Sequence, residues 1–236
     1  MELFYLAHLE ADQLDISFST EESKHINKVL RKKVGEKITV TNGKGLEWVG
    51  EITHSEARKV TAKNQSTHQH KYNDANLHIA IAPTKSNDRM EWFLEKVTEI
   101  GITQITPIIC DHSERKVIKP ERMKKILVGA IKQSAQFHLP QLNPACSFKK
   151  FMDKDVAENK LIAHCREGIK KELHQIKNLN AGLIILIGPE GDFSEKEIEM
   201  ARNNAVTEIS LGNQRLRTET AGIVACSAVG TLRKLL

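Results

Sequence analysis

The sequence predicts an α/β protein in two parts: a small N-terminal β-barrel, and a larger C-terminal domain whose helices cover a mainly parallel sheet. Three observations carry this. Short β-like runs crowd roughly the first 70 residues around a single helix. A polar tract at residues 64–76, containing His68, His70, Asn73 and Asp74, reads as a linker. From Leu77 onward strand-like and helix-like segments alternate, as in a sheet with helical crossovers. The domains are therefore expected at 1–72 and 73–236.

In the first domain, Ser19-Thr20-Glu21-Glu22 has the Ser-x-x-Glu form of a capping box. A helix is expected to start there and run to about Arg31. Ile26, Val29 and Leu30 lie three and four apart and would face a core, while His25, Lys28 and Lys32 would share another face. Strands are expected at 37–41, 47–53 and 58–62. Asn42-Gly43 and the nearby Gly45 supply the hairpin signal between the first two.

In the second domain the expected strands are 77–82, 102–110, 160–165, 183–187 and 208–211. The expected helices are 88–100, 120–136, 194–204 and 218–235. Ser194-Glu195-Lys196-Glu197 is a second capping box and fixes one helix start. Ligands of such sheets sit beyond the carboxyl ends of the strands.

Composition excludes several classes. No apolar run approaches the roughly 20 residues of a membrane span. The start, Met1-Glu2-Leu3-Phe4-Tyr5-Leu6, lacks a basic region and does not read as a secretory signal. Cys110, Cys146, Cys165 and Cys226 are far apart and form no Cys-x-x-Cys pair, so reduced thiols in the cytoplasm are expected. His68-x-His70 lacks a third partner and no metal is expected. The net charge of +5 favours a polyanionic partner only slightly. Its distribution is more telling: Lys24, Lys28, Arg31, Lys32, Lys33 and Lys37 crowd one region, and Arg115, Lys116, Lys119, Arg122, Lys124 and Lys125 another.

Two segments could carry chemistry. Gly188-Pro189-Glu190-Gly191 follows the apolar run 183–187, and Leu211-Gly212 leads into Arg215-Leu216-Arg217-Thr218-Glu219-Thr220-Ala221. The first is neither a P-loop nor a dinucleotide fingerprint. Taken alone it could be an ordinary Pro-Gly turn. The second places three charges and two hydroxyls before a helix of small and apolar residues. Thr218 or Thr220 could cap that helix, with Glu219 suiting its first turn. The small-residue helix should pack closely, either in the core or across a dimer.

These segments, with Lys96-x-x-Glu99-x-Gly101 and His25-x-x-x-Val29-Leu30-Arg31, resemble the RsmE family of ribosomal RNA methyltransferases, in the SPOUT class. The resemblance implies a PUA-like N-terminal barrel that helps hold RNA and a C-terminal α/β domain threaded into a trefoil knot. It also implies a homodimer whose two subunits complete each site. The cofactor would be S-adenosyl-L-methionine, the partner 16S rRNA or the small ribosomal subunit, and the product N3-methylated uridine (uracil 1498 in the family reaction). The chain departs from the family pattern at Lys132 and Gln136, where Glu and Arg are expected, and at Asp192, where a second Gly is common.

On that resemblance, Arg215 or Arg217 would stabilise developing negative charge, with Glu219 orienting an arginine or accepting a proton. The cofactor would lie against Ile187, Gly188, Pro189, Gly191, Leu211, Gly212, Leu216 and Thr220. His164 either lines its rim or is a packed strand-end histidine. His25, Lys28, Arg31 and Lys32 would hold RNA. Two rivals stay open: a noncatalytic ribosome-assembly protein on the same scaffold, and a methyltransferase with another RNA target.

Overall fold

The computed structural model describes residues 2–71, 76–153 and 159–235. Contacts divide the chain into two compact units, Met1–Tyr72 with Ile131–Leu139, and Asn73–Ala130 with Pro140–Leu236.

The first unit contains β1 (Leu3–Tyr5), β2 (Asp15–Ser17), α1 (Thr20–Lys24), β3 (Lys37–Thr41), β4 (Leu46–Glu56) and β5 (Lys59–Gln69). Its five strands form one small sheet in the order β1-β3-β4-β5-β2. Every strand contributes to a single core built from Phe4, Ile16, Ile38, Val40, Trp48, Ile52, Val60 and Ala62. Trp48 is fully buried, and its indole N–H donates to the Gln13 carbonyl at 2.9 Å, so burial leaves no orphaned donor. Gly45 sits at φ +90, and a Cβ there would lie 2.6 Å from the His138 ring and the His70 carbonyl. Only glycine fits the β3–β4 turn at that point.

Two expectations change here. Residues 64–69 are not linker: they continue β5 and pair with the first half of β4. Their side chains are all polar and those of residues 65–69 are exposed, so they show no apolar alternation for a sequence reading to detect. His70 stacks on Phe137 at 4.2 Å and lies 2.7 Å from the Glu47 carboxylate. Asn73 and Asp74 lie outside the described residues. The expected helix also changes pitch. Ser19 caps α1 by accepting from the Glu22 N–H at 3.2 Å, but His25–Val29 form a π-helical turn. Arg31 then takes φ 56 and ends the helix, so Lys32 leaves the face shared with His25 and Lys28.

The departure at Lys132 finds its partner in this unit. Its ammonium lies 2.6 Å from the Glu22 carboxylate and 5.5 Å from the centre of the Phe4 ring. Glu22 is thereby drawn away from closing the expected capping box.

The second unit runs β6 (Leu77–Ile81), α2 (Asn87–Ile100), β7 (Gln104–Ile109), α3 (Pro120–Ser134, its last turn in the first unit), β8 (Gln141–Leu142) and β9 (Cys146–Ser147). It continues with α4 (Phe148–Met152), β10 (Asn159–Ala163), β11 (Lys171–Glu172), β12 (Leu183–Ile187), α5 (Glu195–Asn203), β13 (Thr207–Ser210) and α6 (Thr218–Leu235). The sheet order is β11-β13-β10-β12-β6-β7-β8, with β9 also on β7, and every pairing is parallel. β6 and β12 are buried along their whole length, which is why β12 reads as an unbroken apolar run and β6 as one interrupted only by His78.

One core contains Ala80, Ile108, Phe148, Phe151, Ile162, Ile184, Leu186, Phe193 and Ile198. Elsewhere α6 packs on α2, β6 and β12. A Cβ on Gly222 would lie 2.5 Å from the Phe93 ring, so the small residues of α6 let it approach α2 closely. The capping box of α5 forms in full, Ser194 and Glu197 each bonding the other's backbone N–H. Sequence reading passed over β1, β2, β8, β9, α4 and β11. Each has five residues or fewer, too few to show a period.

Candidate functional site

β13, β10 and β12 are neighbours, so their carboxyl ends stand side by side on one edge of the sheet. The chain leaving each strand walls a cavity of about 600 Å³. Ala163, His164 and Cys165 come from the end of β10. The bend from Ile187 to Glu190 comes from β12, and Leu211–Thr218 from β13. Pro189 and Leu216 line the same space.

The β12 bend is tightly knit. Asp192 N–H donates to the Pro189 carbonyl at 2.9 Å, closing a turn. Asp192 itself sits at φ 65, in the left-handed region that Asp tolerates better than most residues. Its carboxylate accepts from the Cys165 N–H at 2.9 Å and from the Phe193 N–H at 2.8 Å. The aspartate that replaces the common glycine therefore ties the β12 bend to the loop after β10. Glu190 Oε1 accepts from the Lys85 N–H at 3.0 Å, while its buried Oε2 has no partner among the described residues. Gly188 is packed so that a Cβ would lie 3.0 Å from the Phe193 ring.

The segment after β13 is looser. Asn213, Gln214, Arg215 and Arg217 are exposed. One bond joins it to the bend at its start, Arg215 Nη2 donating to the Glu190 carbonyl at 3.3 Å. A second joins them where α6 begins, the buried Thr218 hydroxyl donating to the Gly188 carbonyl at 3.0 Å.

Of the residues expected at the cofactor, His164, Ile187, Gly188, Pro189, Leu211, Gly212 and Leu216 line the cavity. Gly191 and Thr220 are not in its lining. Gly191 instead packs against His112, whose ring Nδ1–H donates to the Gly191 and Asp192 carbonyls at 3.1 and 3.0 Å. Arg215 and Arg217 line the cavity, whereas Glu219 does not. Glu219 is buried on α6 with Oε1 3.7 Å from Arg89 Nε, and its Oε2 has no hydrogen-bond partner among the described residues. Its arginine is thus one on α2 that the sequence did not single out. Cys165 and Lys170, also in the lining, were missed because only the fold brings the β10 loop to the other two; Asp192, noted only as a departure from the family pattern, lines it as well.

His164 is both of the things expected of it, a packed strand-end side chain and part of the cavity wall. Its Nε2 lies 2.8 Å from Glu208 Oε2, and Arg202 grips the same carboxylate at 2.6 and 3.1 Å. A carboxylate accepts, so Nε2 carries the proton. Burial, together with the Lys170 charge, holds the His164 pKa below its usual value despite Glu208. The Glu208 carboxyl is held below its ordinary range, first by its Arg202 hydrogen bonds. In the first unit, His25, Lys28 and Arg31 are exposed. Lys32 is committed to Glu2 at 3.3 Å and to the Lys37 carbonyl at 3.4 Å.

A cavity of this size, with apolar Ile187, Leu211 and Leu216 beside backbone polar groups, fits a nucleoside-sized molecule. Comparison with known proteins narrows the choice. Residues 71–230 match the model of an RNA methyltransferase domain, and residues 18–63 that of an RNA methyltransferase PUA domain. A probable rRNA-methyltransferase from Porphyromonas gingivalis has 35% sequence identity, with 100% of this chain and 99% of that one covered and a TM-score of 0.92. A ribosomal RNA small subunit methyltransferase E from Neisseria gonorrhoeae, solved bound to S-adenosyl methionine, has 30% identity. It is covered over 98% of each chain, with a TM-score of 0.85. The protein of the same name from Rickettsia conorii is 28% identical over 234 residues, 97% of this chain and 94% of that protein.

Proposed function

Because this chain belongs to the family of RNA methyltransferases named ribosomal RNA small subunit methyltransferase E, we propose that it methylates N3 of one uridine in 16S rRNA. Membership makes it an S-adenosylmethionine-dependent rRNA methyltransferase of the small-subunit type. Uridine N3 as the target is supported by the convergence of two glycine-bearing bends on one cavity whose rim carries Arg217.

The donor supplies an electrophilic methyl, so the protein's task is to present the nucleophile. Uridine N3 carries a proton with a pKa roughly two units above neutral, so its anion costs about 3 kcal/mol. Backbone groups of Gly188, Leu211 and Gly212, with the side chains of Ile187 and Leu216, hold the cofactor, and Pro189 and His164 complete the wall. Arg217 is exposed at the rim and has no acidic partner among the described residues, so its guanidinium is free to stabilise charge developing on the uracil oxygens. Arg215 braces the Glu190 carbonyl and sets the rim's shape. Glu219, turned to Arg89, acts as a buried anchor for α6 rather than as the proton acceptor.

The same reading assigns RNA holding to the first unit, through His25, Lys28 and Arg31. It places a trefoil knot in the second unit and makes the working enzyme a homodimer acting in the cytoplasm. The test is methylation of 16S rRNA, free and in small subunits, from cells lacking the protein, followed by mass mapping of the product. One methyl on uridine N3 is expected. Methylation of a ribose or of another base would sink the finer claim. Absence of cofactor binding by calorimetry would favour the noncatalytic rival instead.

A further inference from the structure

The second basic cluster lies on the catalytic unit and has no part in the reading so far. It occupies the loop after β7 and the first turns of α3. Hydrogen bonds fasten that loop to the cavity wall. His112 bonds the Gly191 and Asp192 carbonyls, and a Cβ on Gly191 would lie 3.1 Å from the His112 Cβ. A second path starts at the rim: Arg215 bonds the Glu190 carbonyl, Glu190 accepts from the Lys85 N–H, and the Lys85 carbonyl accepts from Arg115 at 2.6 Å. The basic loop is therefore held directly beside the cavity.

Its acids are largely occupied. Glu114 pairs with Lys85 at 2.8 Å, Asp111 accepts from the Ser194 hydroxyl at 2.6 Å, and Glu91 lies 2.5 Å from Arg122. That leaves Glu121 against Lys116, Lys119, Lys124 and Lys125. These four lysines are exposed and have no carboxylate partner among the described residues. Val117 stands among them, 79% exposed. Free ammonium groups on a segment whose His112 and Arg115 are hydrogen-bonded to the cavity wall match the charge of the strand on either side of a nucleotide held in the site.

The geometry points to a ribose-phosphate track: Lys116, Lys119 and Lys124 bind the phosphates of substrate RNA flanking the target nucleotide. This rests on the methyltransferase reading. It adds a second RNA surface to the one expected on the first unit.

The test compares the wild-type chain with a Lys116→Gln, Lys119→Gln, Lys124→Gln variant and with a control variant, Lys149→Gln, Lys150→Gln, Lys196→Gln. Affinity for a fluorescent 16S rRNA transcript is read by anisotropy across a potassium chloride series, and S-adenosylmethionine affinity by calorimetry. The track variant should lose on the order of tenfold to a hundredfold in RNA affinity at 0.1 M salt. Its log–log salt slope should shrink by about 2 to 3, at 0.7 to 0.9 per charge. The control should keep the wild-type slope, and all three should bind cofactor alike. An unchanged slope in the track variant, or an equal loss in the control, overturns the track. Failure of the wild-type chain to bind cofactor overturns the methyltransferase reading itself, a result that the RNA series does not depend on.

Discussion

The two walls of the cavity are built on opposite terms. The bend after β12 is short, bonded within itself and to three other segments, and packed on Phe193 and His112. The segment after β13 is long and exposed, with Gly212 at φ 121 and nothing within 4 Å of where its Cβ would lie. One wall is made in advance and the other can adapt. A preformed wall suits a cofactor common to every turnover, with Leu211, Gly212 and Leu216 closing over it from the other side, whereas exposed Arg217 on that adaptable wall suits the RNA base that arrives and leaves.

If that division holds, Arg217→Ala should have the largest effect, lowering kcat by about 10² to 10³. Its calorimetric cofactor affinity should stay within about threefold of wild type, and comparable losses in both would erase the difference between the walls. Next comes Gly188→Ala, which drives a methyl into the Phe193 ring and should cost about 1 to 3 kcal/mol in denaturant unfolding. Gly212→Ala meets only backbone strain, about 1 to 2 kcal/mol, in a segment free to shift. A larger loss at Gly212 than at Gly188 would invert the comparison. Thr218→Val removes the hydroxyl that links the walls and strands the Gly188 carbonyl. About 1 kcal/mol of stability should go, together with a few-fold in cofactor affinity.

The smallest effect is on pH. His164 binds its proton less readily folded than unfolded, so acidification favours the unfolded chain. Its contribution is fully present above the ordinary value of 6.5 and is lost as pH falls below it. Glu208, with its carboxyl depressed, adds a loss of the same sign at lower pH. Thermal melting followed from pH 7.5 to 5.5 should therefore decline, and His164→Asn should flatten the upper part of that curve. An unchanged curve in the variant would remove His164 from the account.

Much of this architecture was legible in the sequence, though unevenly. The strand at 183–187 could be placed because a doubly covered strand shows as an apolar run, and the helix starting at Thr218 because Glu219 suits a first turn. The extension of β5 through Gln69 was not legible, since a strand with polar side chains in solvent looks like linker. Glu219 was expected in the site on the family resemblance. It lies buried in the first turn of α6 and faces Arg89, whereas Arg217 precedes the helix and is exposed.

By itself the sequence determined the parallel sheet, the two bends at strand ends and the family. These follow from local periodicity, from glycine, proline and capping chemistry, and from residues in a fixed order. The tertiary structure alone decided that β10 lies between β12 and β13, that Asp192 clasps the loop after β10, and that His112 fastens the loop after β7 to the cavity wall. Each of those depends on which strands become neighbours, and strand order is set by the packing of whole faces against one another, which no short window of residues encodes.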